Sequence, residues 1–176
     1  MSLEHKFCHV GADVTVTDGS VISGYASLFG LPDQGGDTVM PGAYRASLAK
    51  GRQIKMLWQH DPAQPIGVWD EVREDDRGLW VKGRLLTDVA KGREAASLVS
   101  AGAIDGLSIG YRTVKAQKDD KGGRLLSQLE LWEVSLVTFP MLPDARVAAK
   151  GDDPTYAPLR ELAAAFEDAR RLMAMG

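Results

Sequence analysis

Apolar residues in this chain fall mainly into short β-branched or alternating runs, the pattern of strands, interrupted by at least two stretches that read as helix. "VTVTDGSVISGYASLF" (14–29) has two such runs around Asp18-Gly19 and predicts a hairpin. "LPDQGGDTVMPG" (31–42), rich in Gly, Pro and Asp, predicts a loop. Pro41 then opens a short helix, "GAYRASLAK", with Gly51 just past its end. "QIKMLWQ" (53–59) predicts a strand and "HDPAQP" a turn. "IGVWDEV" and "GLWVKGRLL" around "REDDRG" predict a second hairpin. "DVAKGREAASLVSAG" (88–102) predicts a helix, with Asp88 as N-cap and Gly102 as stop. "LSIGYRTVKA" and "RLLSQLELWEVSLVTF" around "QKDDKGG" predict a third hairpin with a long second strand, ended by Pro140 and Pro143. "GDDP" (151–154) reads as a hinge before the amphipathic "APLRELAAAFEDARRLMAM".

No long strand–helix alternation suggests a parallel sheet. The expected fold is mainly β with α, an antiparallel β-barrel surrounded by helices. Residues 1–150 are expected to form the barrel domain, with an N-terminal start that is poorly ordered. Residues 151–176 are expected to form a helix on the same domain, its stripe of Leu159, Leu162, Phe166, Ala169, Leu172 and Met173 covering the core or serving a homodimer contact.

Composition changes this picture mainly by exclusion. The 176 residues suffice for a sizeable core, and 44% are hydrophobic, as in ordinary globular chains. A net charge of −3 without a dense Lys/Arg cluster argues against nucleic acid as a partner. No apolar run has the length of a membrane helix, and the first residues lack a signal peptide's apolar segment. The single cysteine, Cys8, forms no intrachain disulfide, so a cytoplasmic protein is expected. "HKFCH" brings His5, Cys8 and His9 within five residues, but no second cluster completes a tetrahedral zinc site, so neither metal nor cofactor is expected.

Candidate chemistry centres on Gly106-Leu107-Ser108-Ile109-Gly110, which fits G-x-S-x-G. A serine nucleophile needs a base, and the base an orienting group. The α/β-hydrolase order places the histidine last, and no histidine follows Ser108, so that fold is excluded as a catalytic reading. His60 ends the apolar run "IKMLW", from which a side chain can project into a cleft. In "LELWEVSLVTF", strict alternation puts Leu129, Leu131, Glu133, Ser135 and Val137 on one face of an apolar strand. A carboxylate there needs a partner. Two readings stand: an ion pair with an arginine or lysine, or acceptance of a ring N–H of His60. Asp61 is a rival for the second role.

With His60, Ser108 and Glu133 placed, the chain resembles the prohead protease family of tailed phages, the head-maturation serine proteases. "GDTVMPGAY" (36–44), "IKMLWQHDPAQPIG" (54–67), "GAIDGLSIGY" (102–111) and "LWEVSLVTFPMLPDA" (131–145) carry the resemblance in order, over about residues 20 to 148. The resemblance implies a fold similar to the herpesvirus assembly protease, with the family's histidine at His60 and its nucleophile at Ser108. Glu133 is the choice for third member, where the herpesvirus enzyme has a histidine. Gly106 and Gly110 fit a backbone that approaches substrate, and "FPMLPDAR" offers oxyanion donors, with Arg146 holding a water. The implied substrates are the scaffolding segment of the major capsid protein and the protease itself, inside the immature head in the host cytoplasm. The competing class is a non-enzymatic β-barrel shell or scaffold component, in which Ser108, His60 and Glu133 are not neighbours.

Overall fold

A computed structural model describes residues 4–7, 14–17, 20–33, 35–120, 122–138 and 147–148. Its strands are β1 (Glu4–Phe7), β2 (Val14–Thr17), β3 (Val21–Leu28), β4 (Asp37–Val39), β5 (Lys55–Trp58), β6 (Asp61–Glu74), β7 (Gly78–Leu85), β8 (Gly106–Lys118), β9 (Arg124–Val137) and β10 (Val147–Ala148). Two helices are described, α1 (Arg45–Leu48) and α2 (Ala90–Ser100). The predicted "GDDP" hinge, the helix after it, Pro140, Pro143 and Arg146 lie outside the described residues.

The three predicted hairpins form: β2–β3, β6–β7 and β8–β9 each pair antiparallel. The strands join one sheet in the order β1-β8-β9-β5-β6-β7-β3-β2-β10, with β4 beside β9. The sheet curls enough to bring β3 near β8, yet no pairing between described strands closes it. It is a half-barrel rather than the barrel expected. It is mostly antiparallel, as expected, but β5 and β4 both run parallel to β9, and β10 parallel to β2. The parallel β5–β9 contact has a consequence: it sets the end of β5, and so His60, beside the end of β9.

Local expectations need three further corrections. The segment 31–42 is not all loop, because Asp37–Val39 adds β4 to β9. Arg124 ties that junction down with two charge-assisted bonds to Asp37, Nε donating to Oδ1 at 2.9 Å. Asp88 does not cap α2; Val89 holds the N-cap position and supplies no side-chain bond. Helix α1 has only four residues, and Gly51 at φ 65° follows its end.

The core lies on one face of the sheet. Leu107, Ile109 and Tyr111 of β8, Leu131, Val134 and Leu136 of β9, and Met56 of β5 all belong to one buried cluster. Helix α2 adds Ala95, Ala96 and Val99, spaced for one helical face, where it packs on β6 and β7. Burying a Leu or Ile contributes about 1.5–3 kcal/mol, so this face holds β8 and β9 firmly. Their opposite face carries the polar residues considered next.

Candidate active site

Within β9 the strict alternation expected from Leu129 to Val137 fails. Gly110 pairs with Glu133, but Tyr111 pairs with Leu131, so Trp132 is an extra residue opposite no partner. This β-bulge changes which face the following residues present. Leu129 and Leu131 lie in the core with Tyr111, whereas Glu133 and Ser135 share the opposite face with Ser108 and Gly110. A phase change in the sequence marks it: Leu131 and Val134, three apart, are both core residues.

His60 does not end a strand that continues into a "DPAQP" turn. Trp58 pairs directly with Asp61, so Gln59 and His60 are themselves the two-residue turn, and β6 starts at once. Their φ values, 52° and 62°, are those of a type I′ hairpin. Gly, Asn and Asp are usual there, and another residue held left-handed costs about 1 kcal/mol or more. Neighbouring bonds fix the turn. Gln59 N–H donates to the Leu136 carbonyl at 2.9 Å, and Gln59 Nε2 to Thr138 Oγ1 at 2.6 Å. His60 N–H donates to Ser135 Oγ at 3.2 Å.

These devices bring the three predicted residues together. His60 Nδ1 lies 2.6 Å from Glu133 Oε1, and His60 Nε2 lies 2.6 Å from Ser108 Oγ. An ionised carboxylate only accepts, so Nδ1 carries the hydrogen and Nε2 is left to accept the Ser108 hydroxyl proton. The second Glu133 oxygen, Oε2, accepts the Ser135 hydroxyl at 2.6 Å. Glu133 is buried, its side chain 6% exposed, and pairs with histidine; the open alternative was an arginine or lysine. Asp61 is occupied at the start of β6. It accepts Ala63 N–H at 2.8 Å and Gln64 Nε2 at 2.7 Å, and these bonds hold its pKa below the ordinary value.

Ser135 was missed as a site residue by sequence reasoning, which placed it only as a face-mate of Glu133. Its hydroxyl spans the site, accepting from the His60 backbone and donating to the Glu133 carboxylate. Gly110 faces Glu133 so closely that a Cβ there would collide with Oε1, and with Cδ at 2.7 Å. The second glycine of G-x-S-x-G therefore makes room for the carboxylate. Gly106 starts β8 opposite Val137. His5 lies in β1, while Cys8 and His9 fall outside the described residues.

A curled, mostly antiparallel sheet thus carries a serine, a histidine and a glutamate joined end to end by hydrogen bonds, an arrangement of the kind found in serine hydrolases. The profile of the caudovirus prohead serine protease family matches residues 10–156, and the chain belongs to that family. It is 33% identical over 136 residues to the prohead protease of Enterobacteria phage HK97, covering 73% of this chain and 59% of that protein. It is 32% identical over 141 residues to the capsid polyprotein of Pseudomonas phage PAJU2, covering 73% of this chain and 20% of the relative. The chain thus spans less than two-thirds of the length of these relatives. Among solved structures, the capsid assembly protease gp21 of bacteriophage T4 superposes with a TM-score of 0.64 at 14% identity, over 79% of this chain and 98% of that one. That likeness shows the shared fold.

Proposed function

We propose that this chain is a serine endopeptidase that cleaves the scaffolding segment of a major capsid protein, and itself, inside an immature phage head in the host cytoplasm. The observation that carries the reading is the unbroken Ser108–His60–Glu133 relay, both of its links 2.6 Å long. In the non-enzymatic alternative these three residues have no reason to meet. Membership of the prohead protease family and similarity to a capsid polyprotein support a capsid protein as substrate.

Ser108 Oγ attacks the peptide carbonyl carbon while its proton passes to His60 Nε2. His60 returns that proton to the amine nitrogen as the C–N bond breaks, leaving an acyl ester on Ser108. Water then attacks the ester, giving a proton to His60, which passes it to Ser108 Oγ as the carboxylic acid leaves. Glu133 keeps Nδ1–H in place throughout and steadies the imidazolium without taking its proton. We place the oxyanion donors in the backbone of residues 139–146, with Arg146 holding a water and Gly106 and Gly110 easing approach to β8. Each such donor contributes about 3 kcal/mol to the transition state. Residues 151–176 are assigned as a C-terminal helix on the same domain, or as a dimer contact.

The test is labelling by a serine-directed phosphonate, followed by mapping of the adduct, alongside cleavage of the cognate capsid protein. Labelling at Ser108, and a folded Ser108→Ala variant that neither labels nor cleaves, is the expected outcome. Normal cleavage by Ser108→Ala removes the assignment.

A further inference from the structure

A substrate that adds to β8 as a strand has only one edge of β8 open to it. Strand β9, bearing Glu133 and Ser135, flanks β8 on one edge, and β5 with His60 lies beyond it. A substrate strand must therefore come in along the other edge of β8. In this structure that edge is taken. Strand β1 pairs antiparallel with the nucleophile segment, Phe7 opposite Ser108, Lys6 opposite Ile109, His5 opposite Gly110 and Glu4 opposite Tyr111. Ser108 itself is fully buried, with 0% of its surface exposed.

Two features of β1 suit an occupant that can leave. It is four residues long and forms the last strand on its side of the sheet. It also lies ahead of residue 10, where the match to the family begins. With β1 withdrawn, no other described strand pairs along that edge of β8, and an exposed strand edge recruits extended peptides.

We propose that the Ser108–Tyr111 edge of β8 is the peptide-docking edge, that substrate adds there as an antiparallel strand, and that Glu4–Phe7 is an internal competitor which substrate must displace. The proposal rests on the catalytic reading above. A tethered segment competes at high effective concentration, so β1 would raise the apparent KM and slow acylation without touching the chemistry of Ser108, His60 and Glu133.

The test replaces His5 and Lys6 together by proline in the full chain, which removes two backbone donors from β1 and leaves side chains of the site alone. The expected result is labelling of Ser108 by a peptidyl phosphonate about tenfold faster than in the parent, reversed by adding a peptide of residues 1–10 in excess. An unchanged or slower rate in a variant with the parent's circular dichroism overturns the proposal. A second measurement needs no change in β1: hydrogen exchange on Ser108→Ala with and without a saturating uncleaved capsid-derived peptide. Amides of residues 4–7 should lose protection while those of 108–111 keep it; continued protection of 4–7 at saturation overturns the proposal. If Ser108 labels in neither parent nor variant, the catalytic reading itself fails and this proposal falls with it, whereas equal labelling in both removes the competitor alone.

Discussion

Glu133 is held from three sides, and each contact restricts it differently. His60 Nδ1 donates to one oxygen, Ser135 Oγ to the other, and Gly110 leaves the space both need. Both oxygens must accept, and an amide has only one acceptor. Glu133→Gln is therefore expected to remain folded, melting within a few degrees of the parent, while turnover falls by up to about four orders of magnitude. Early melting with activity per folded molecule retained would instead make Glu133 a structural group. Ser135→Ala leaves His60 N–H and Glu133 Oε2 without this partner, so it should cost about 1–3 kcal/mol of stability and slow turnover. If Ser135 tunes the site through its shorter bond, to Glu133, adding Ser135→Ala to Glu133→Gln should slow turnover little further; independent, multiplicative losses in kcat would show that it acts through the His60 backbone instead.

Elements explain why much of the site was legible beforehand and part of it was not. Ser108, His60 and Glu133, which are neighbours, could be singled out because residue type and chain order restrict a nucleophile's partners, and hairpins were found because alternation and turn residues are local signals. The parallel pairings of β5 and β4 with β9 join segments distant in sequence, which no local period reports. The bulge at Trp132 left a trace, the three-residue step between Leu131 and Val134, that strict alternation overrode. Gln59 and His60 were hidden because neither is a usual left-handed residue, and tertiary bonds force that conformation. The β6–β7 turn is the opposite case, with most of its bonds local. Asp75 Oδ1 accepts the N–H groups of Arg77 at 2.9 Å and Gly78 at 3.2 Å, and Oδ2 accepts Tyr25 Oη at 2.7 Å and Arg73 Nη1 at 2.8 Å. Burial pushes the Asp75 pKa up, but these bonds outweigh it and hold the pKa below its ordinary 3.8. A lowered folded-state pKa means stability present above 3.8 and lost as pH falls through the folded value. Asp75→Asn should thus cost about 1–2 kcal/mol near neutral pH. Urea midpoints of parent and variant should converge on acidification below 3.8; a gap that persists there would mean the carboxylate's charge is not what the turn uses.

Across the whole molecule, the two faces of β8 and β9 divide the work. One face belongs to the shared core and the other to the Ser108–His60–Glu133 hydrogen bonds, so in the proposed reading stability and chemistry meet in the same two strands. Leu79 of β7 and Leu107 of β8 are both fully buried in that core, but only Leu107 adjoins Ser108 in sequence. Truncating either to alanine removes the same atoms and leaves a cavity, at an expected cost of about 2–5 kcal/mol each. Their effects on catalysis should differ. A cavity at Leu79 lies four strands from Ser108 in sheet order and opposite Glu74, the end of β6 far from His60. Leu79→Ala should keep near-parental kcat per folded molecule at low temperature. A cavity beneath Leu107 lets β8 settle, and a serine displaced by about 1 Å from its near-attack position can lose about a hundredfold in rate. Leu107→Ala should therefore lose kcat as well as stability. Active-site titration with the phosphonate counts folded, competent molecules and separates the two effects. Equal kcat in the two variants would mean that the hydrogen bonds around His60, Glu133 and Ser135 position the nucleophile independently of the core beneath it.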